Sequence, residues 1–344
     1  MSASSATLEK LLRRVDLDEA EASALMVDLT REDLSPALAA ALLAALRAKG
    51  ETAAELRGFA TAMRGLARRP ELEAPAPLLD IVGTGGDGSG SLNLSTGASL
   101  LAAACGIPIA KHGNRSISSK SGSADMLEAL GMRLPGDEAA AAACLDATGY
   151  TFLFAPHFHP AMKAIGPVRR ALGVRTVFNM LGPLTNPAAP PFLLLGAFSP
   201  QAARLMAEAL AGMEGLVRGF VVHGAPGWDE ATPVGPFQLF DVRDGEVRET
   251  VRDPEEWHLP RCTPSELAGG DAAYNAGRLR AVFSGREVGP HLDAVLLGTA
   301  LALELTGRAA NPREAVGAAR RALLDGRAEA LLAALQRQAA ESGA

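Results

Sequence analysis

The chain has 344 residues and a net charge of −6, from 33 Lys and Arg against 39 Asp and Glu. With 48% hydrophobic and 21% charged residues it reads as a folded protein of about two domains and not as a disordered one. The charge offers no general attraction to nucleic acid, no apolar stretch approaches the roughly 20 residues of a membrane span, and three scattered cysteines without a CxxC pair read as reduced thiols of a cytoplasmic protein.

The opening residues carry no basic region followed by an apolar run, so no secretion signal is expected. Residues 1–70 read as a small helical domain. Asp16 or Asp18 can cap an early helix. Ser35-Pro36 looks like a cap and first-turn proline, Gly50 a stop, and Thr52 with Glu55 a capping box opening a helix to about Arg69. The Pro-rich stretch 71–77 reads as a hinge linker. From 78 to 344 the character is α/β. Strands are expected at Leu79–Val82, Ile107–Ala110, Thr151–Phe154, Phe192–Ala197 and Gly219–His223, with helices such as Leu94–Cys105 and Gln201–Met213 between them. This alternation predicts a mostly parallel central sheet flanked by helices. A hairpin with an Asp244-Gly245 turn is expected over 236–251, and a helical tail over 291–340.

Two residue types run against the bias of the chain. Only five of the 33 basic residues are lysines, and three of these (Lys111, Lys120, Lys163) fall in one middle segment. Four of the six asparagines (Asn93, Asn114, Asn179, Asn186) lie between 93 and 186.

Four constellations carry the chemistry. The run Gly83-Thr-Gly-Gly-Asp-Gly88, continuing through Ser91 to Asn93, Ser95 and Thr96, follows a strand and opens a helix, where backbone amides favour an anion. It matches a dinucleotide fingerprint formally, but the second strand leads into Lys111-His112-Gly113-Asn114-Arg115 and not into the acidic residue that a ribose diol requires. The run 111–125 alternates Lys111, Arg115 and Lys120 with five serines, which suits a polyanion or a mobile surface loop. Tyr150, Phe152, Phe154 and Phe158 cluster before Lys163, Arg169, Arg170 and Arg175; they serve either as core or as an aromatic wall beside cations, fit for a small aromatic acid. His157 and His159 have no third ligand, so no metal site is read there. Asp229-Glu230 follows a strand and a glycine turn, and beside polyphosphate loops such a pair suits Mg2+.

In this order, GTGGDGSGSLNLSTG, KHGNRSISSKSGSAD, HPAMK with VRRALGVRTVFNMLGPLTNP, and HG with DE resemble anthranilate phosphoribosyltransferase over essentially the whole chain. The resemblance implies transfer of a 5-phosphoribosyl group from phosphoribosyl pyrophosphate (PRPP) to anthranilate in tryptophan biosynthesis, by a Mg2+-dependent homodimer. It implies a helical domain completed by a segment near 167–190, and makes 78–344 the PRPP-binding domain. It places PRPP contacts at Gly83, Gly86, Asp87, Ser91, Asn93, Leu94, Ser95 and Thr96, along the run Lys111, His112, Gly113, Asn114, Arg115, Ser116, Ile117, Ser118 and Ser119, and at Ser123. It places Mg2+ ligands at Ser95, Asp229 and Glu230, anthranilate contacts at Gly83, Asn114, Arg169 and His159, and catalytic roles at Arg169, Asn114 and His112. Ser91 stands where Thr is common, Pro226 and Trp228 alter the loop before the acidic pair, and Gly298 stands where Asn is expected. The alternatives are a pyrimidine nucleoside phosphorylase of the same superfamily, which needs no acidic pair for Mg2+, and a nucleic-acid-binding relative of the same fold, which the negative charge disfavours.

Overall fold

In the computed structural model, which describes residues 3–116 and 120–341, four helices precede any strand. They are α1 (Ala3–Leu12), α2 (Glu19–Leu29), α3 (Pro36–Lys49) and α4 (Ala53–Leu66). Asp18 and Thr52 cap α2 and α4, and Glu21 and Glu55 complete reciprocal capping boxes. Ser35 makes no side-chain cap bond; Pro36 alone marks the start of α3, and Gly50 ends it at φ +91°. The buried Glu55 carboxylate also accepts from the Leu17 amide (2.9 Å) and from Lys49 Nζ (3.0 Å), which locks the α1–α2 connection onto α4.

A seven-stranded sheet follows, in the order β3-β2-β1-β4-β5-β6-β7. Strands β1 (Leu79–Gly83), β2 (Ile109–Gly113), β3 (Tyr150–Phe154), β4 (Phe192–Gly196) and β5 (Arg218–His223) are parallel. Strands β6 (Phe237–Arg243) and β7 (Glu246–Arg252) add an antiparallel hairpin, whose turn residues Asp244 and Gly245 both take positive φ. The second strand lies two residues beyond its sequence-based position at 107–110. Pro108 has no amide for the ladder, so pairing begins at Ile109 and continues through Lys111, His112 and Gly113.

Helices cover both faces. Ile81, Phe152, Leu194, Phe220 and Leu239 on one face pack with α5 (Leu94–Ala104), α6 (Ser123–Ala129), α7 (Glu138–Thr148) and the four C-terminal helices. On the other face Leu193, Leu195, Val221, Phe240 and Val242 meet α9 (Met162–Leu172), α10 (Phe178–Leu181) and α11 (Pro200–Ala211), following the short α8 (Ala155–Phe158). That second core is continuous with Leu25, Leu42 and Phe59 of the N-terminal helices. The C-terminal helices are α12 (Ala272–Phe283), α13 (Pro290–Leu305), α14 (Pro312–Leu324) and α15 (Arg327–Glu341). Among the described residues no helix is long and apolar enough to cross a membrane.

Candidate active site

The chemistry-bearing residues gather where β1, β2, β4 and β5 end, the position at which parallel sheets bind ligands. The loop after β5 folds back over the neighbouring strand ends. Gly224 and Trp228 bond reciprocally through their backbones (2.9 and 3.0 Å), and the Trp228 ring is buried in the core, so Asp229 and Glu230 are delivered to the rim. The approach needs residues without side chains beneath it: a Cβ on Gly196 would lie 1.6 Å from the Asp229 carbonyl oxygen, and one on Gly83 would lie 2.3 Å from Asp229 Oδ2.

Asp229 Oδ2 accepts from the Gly85 amide at 2.6 Å, and the Asp229 amide donates to Asp87 Oδ2 at 3.2 Å. Asp87 Oδ1 in turn accepts from the Ser89 amide, and Ser89 Oγ lies 3.2 Å from Ser91 Oγ. Glu230 Oε1 accepts from the Ser95 amide at 3.0 Å. Ser95 is in the first turn of α5, whose amides lack intrahelical partners and whose dipole favours negative charge. Thr96 Oγ1, one residue on, is buried with no hydrogen-bond partner among the described residues. Gly83, Asp87, Ser91, Asn93, Leu94, Ser95, Thr96, Asp229 and Glu230 thus form one cradle. Gly86 is exposed at its outer edge and its carbonyl accepts from Arg175 Nη2; Arg175 also stacks on Phe198 and takes a bond from Arg47 on its carbonyl.

The second loop is arranged differently from its sequence-based reading. Ile117, Ser118 and Ser119 lie outside the described residues. Lys111 is in strand β2, is 1% exposed, and donates to the Ile81 carbonyl. Burial lowers its pKa, against the pull of Asp80 and Glu230 on either side. It points beneath the cradle because the strand continues past Ala110 and alternates side chains between faces. Arg115 is engaged at the surface by Asp125 (2.9 Å) and Glu128 (2.6 Å), and the ring of Phe154 lies under it. Asn114 is exposed at the loop mouth; its carbonyl accepts from Ser123 Oγ and from the Ala124 amide. The Ser116 amide donates to Asp125. Gly113 lies against Ser123 and Phe152.

His112, next on the strand, points to the opposite side. Its ring is 5.1 Å from that of His159, and both residues are buried. His112 Nδ1 lies 3.1 Å from the Gly182 carbonyl; a carbonyl only accepts, so Nδ1 carries the hydrogen and Nε2 keeps its lone pair. Among the described residues His112 Nε2 and both ring nitrogens of His159 lack a hydrogen bond of ordinary geometry, although the Thr185 backbone lies near enough to His159 to favour its protonated form. Burial pushes the His112 pKa down to about 3, helped by the His159 ring, and that of His159 down to about 4, so both are neutral at pH 7. Arg169, on α9, stacks 4.7 Å above the Phe178 ring, is half-buried with its pKa lowered by desolvation, and has no acidic partner among the described residues. The four aromatics expected as a possible wall are not one. Tyr150, Phe152 and Phe158 are fully buried core, and only Phe154 is partly open, because alternate residues of β3 pack into both helix layers.

Three residues that position the site were not singled out as such. The buried Asp80 accepts from the His112 amide (3.2 Å) and from Asn186 Nδ2 (2.8 Å), and Asn186 also donates to the Ala110 carbonyl (2.8 Å). Burial raises the Asp80 pKa to about 6, opposed by Lys111. Asn275, 1% exposed, bonds Asn93 at 2.8 Å. Asn186 and Asn275 belong to the scarce asparagines, and that scarcity was the available signal. Gly298 faces Ala98 at the α5–α13 contact and lines a small cavity beneath Asp229 and Glu230, where a larger side chain has little room.

The donor set suits a hard divalent cation. Burial, then Asp87, pushes Asp229 up to about 7; burial, then Asp229, pushes Glu230 up to about 8. Two adjacent carboxylates held this way call for positive charge. Among the described residues no three His, Cys, Asp or Glu side chains form a closed cage. Mg2+ does not require one, since it retains waters and takes phosphate oxygens.

The model of the glycosyl transferase family helical bundle domain matches residues 5–67, and that of the glycosyl transferase family a/b domain matches residues 75–329. The chain is 45% identical to anthranilate phosphoribosyltransferase of Chloroflexus aurantiacus over 319 residues, covering 92% of this chain and 93% of that one. It superimposes on the crystal structure of anthranilate phosphoribosyltransferase from Thermus thermophilus with a TM-score of 0.90 and 44% identity, covering 96% and 98% of the two chains. The Saccharomyces cerevisiae anthranilate phosphoribosyltransferase in complex with PRPP and Mg gives a TM-score of 0.89 at 27% identity, covering 98% of each.

Proposed function

The chain belongs to the anthranilate phosphoribosyltransferase family, and from that premise we propose that it transfers the 5-phosphoribosyl group of PRPP to the amine of anthranilate, giving N-(5-phosphoribosyl)anthranilate and pyrophosphate in tryptophan biosynthesis. The observation that carries the reading is the seating of two adjacent carboxylates, one on a glycine-loop amide and the other on a helix N-terminus. We assign the PRPP role to the segment 83–96 together with the end of β2 and the loop that follows it. Within it, Gly83, Gly86, Asp87, Ser91, Asn93, Leu94, Ser95 and Thr96 line the first wall, and Lys111, His112, Gly113, Asn114, Arg115, Ser116 and Ser123, with Ile117, Ser118 and Ser119, belong to the second. Lys111 acts from beneath, as a buried donor anchored on the Ile81 carbonyl, where burial favours loss of its proton and Asp80 and Glu230 oppose that loss. Ser95, Asp229 and Glu230 would hold Mg2+, which when bound neutralises charge on the departing pyrophosphate.

In the reaction the amine nitrogen forms a bond to the ribose anomeric carbon. The bond from that carbon to pyrophosphate breaks, its electron pair leaves with pyrophosphate, and the nitrogen gives up a proton. The positive end of α5 and the glycine loop, two of whose amides seat Glu230 and Asp229, give anionic oxygens a favourable field that needs no reorganisation. Among the described residues no acid pairs with Arg169, so its charge-assisted bonds are available to the anthranilate carboxylate, with Phe178 holding the guanidinium plane. The neutral His112 Nε2 is an acceptor for an amine N–H, while His159, Gly83 and Asn114 complete the pocket. An aromatic amine is uncharged at pH 7, so aiming the nucleophile supplies much of the rate. By the same family reading the enzyme is a cytoplasmic homodimer. The test is direct: with Mg2+, PRPP and anthranilate the fluorescence of anthranilate should fall with turnover. No loss there, with phosphorolysis of thymidine or uridine instead, overturns the proposal.

A further inference from the structure

The loop after β1 is braced from outside by a distant stretch of chain. The Leu92 amide donates to the Leu267 carbonyl (3.0 Å), the Gly269 amide donates to the Gly90 carbonyl (2.8 Å), and Ser91 pairs with Ala268 in an antiparallel bridge. A Cβ on Gly269 would lie 2.5 Å from the Ser91 carbonyl oxygen, so the two backbones are in direct contact. Leu267–Gly270 is therefore a strap across the phosphate loop, and Asn275 in the first turn of α12 anchors it.

The hydrogen bonds of Asn275 admit one arrangement. Its Oδ1 accepts from the Gly270 amide at 2.7 Å, so its Nδ2 must face Asn93, where it donates to Oδ1 at 2.8 Å. Asn93 Nδ2 then faces the Ser121 carbonyl (3.1 Å), and Ser121 Oγ donates back to Asn93 Oδ1 (3.2 Å). Asn93 is the N-cap residue of α5, yet its side chain makes no cap bond. An N-cap asparagine ordinarily accepts from the second or third amide of its helix. Here that oxygen is committed elsewhere, and the Ser95 amide goes to Glu230.

We propose that Asn275 is a positioning residue for PRPP. It holds the Asn93 side chain away from the first turn of α5, so that the Ser95 amide stays on Glu230 and the positive end of the helix stays open to the ligand's phosphate, and it ties the first loop to the second through Ser121. The inference rests on the PRPP reading of the cradle. Replacing Asn275 with Ala lets Asn93 fold back onto the α5 amides and compete with the ligand. Replacing it with Asp keeps the acceptor for Gly270 but removes the donor; Asn93 then turns its amine to the new carboxylate and sets its oxygen against the Ser121 carbonyl.

The test uses the full-length protein, with PRPP and Mg2+ titrated calorimetrically and steady-state constants measured beside it. Asn275→Ala and Asn275→Asp are each expected to raise the Kd and KM for PRPP roughly tenfold, the effect of one buried polar group losing its partner, with the anthranilate KM changed less than about twofold. Asn311→Ala serves as control: it removes a helix cap far from the site (Asn311 Oδ1 accepts from the Glu314 amide at 3.0 Å) and should lower the melting temperature without moving the PRPP KM. Ser121→Ala combined with Asn275→Ala should cost less than the product of the two single changes. Hydrogen exchange of peptides spanning Lys120–Leu130 should quicken in Asn275→Ala. Wild-type PRPP affinity in the folded variants, or fully multiplicative losses in the pair, overturns the proposal. A wild-type protein that does not bind PRPP refutes the functional reading instead; exchange at Lys120–Leu130 then still decides the brace, unchanged rates sinking it and faster rates upholding it.

Discussion

One methyl group on Gly83 isolates the contribution of the cradle. Gly83 lies outside the positive-φ region, so alanine meets no backbone strain there. The new Cβ would lie 2.3 Å from Asp229 Oδ2 and 2.9 Å from Asp229 Cγ, so the carboxylate must retreat by about 1 Å to reach ordinary contact. Its bond from the Gly85 amide is 2.6 Å long and does not survive that shift. A charge-assisted bond contributes about 1.5–3 kcal/mol, which corresponds to roughly 10- to 150-fold in an apparent affinity. Gly83→Ala should therefore raise the Mg2+ concentration for half-maximal rate by that order at saturating substrates, with little change in melting temperature, because only a side chain moves. Gly196→Ala is the contrast. Its Cβ would lie 1.6 Å from the Asp229 carbonyl, so the backbone itself must move and the melting temperature should drop clearly. An unaltered Mg2+ dependence in Gly83→Ala would refute the seating of Asp229 as the organising contact.

Two further outcomes are expected. Arg169→Ala removes a half-buried cation that has no acidic partner among the described residues, so no charge of theirs is left behind. The anthranilate KM should rise roughly 10- to 100-fold while the PRPP KM stays within about twofold, and an equal rise in both would sink the assignment. The histidine pair sets an acid limit: with folded pKa values near 3 for His112 and 4 for His159 against 6.5 in the unfolded chain, unfolding takes up protons. Their contribution is whole above about pH 6.5 and is lost as pH falls toward 4 and then 3. Urea midpoints should decline from pH 7 to pH 5, less steeply in His159→Gln; equal slopes in the two proteins would count against buried neutral rings.

Local chemistry made much of the fold readable. The caps at Asp18 and Thr52, the Asp244-Gly245 turn and the short apolar strands other than β2 act through neighbours in sequence and appear where local rules put them. The α/β alternation likewise yields the mostly parallel sheet. Errors arose where a distant partner decides. Lys111 looked like a loop cation until Pro108 displaced the strand and turned its side chain under Ile81. The run around Arg115 gives no local sign that Asp125 and Glu128, one helical turn apart on α6, pair with it at the surface. The aromatic run before Lys163 was open to two readings, and strand alternation sends most of it inward. Asn275 lies 182 residues from the side chain it holds, a distance no periodicity reports.

The continuous core between the N-terminal helices and one face of the sheet has a consequence for how the protein is built. Two separate family models match the chain, over 5–67 and 75–329, as if it were a pair of modules. Physically the boundary runs elsewhere. Leu193, Leu195, Val221 and Phe240 on the sheet share a cluster with Phe59 and Leu42, and Arg64 and Arg68 bond to the Leu184 and Phe158 carbonyls (2.9 Å each). Cutting at the connection would strip one side of the sheet and loosen the carbonyl that Arg47 holds on Arg175, the residue bonded to Gly86. Evolution can shuffle these two pieces as text, but the molecule has to assemble them as one cooperative unit before its phosphate loop has a fixed shape.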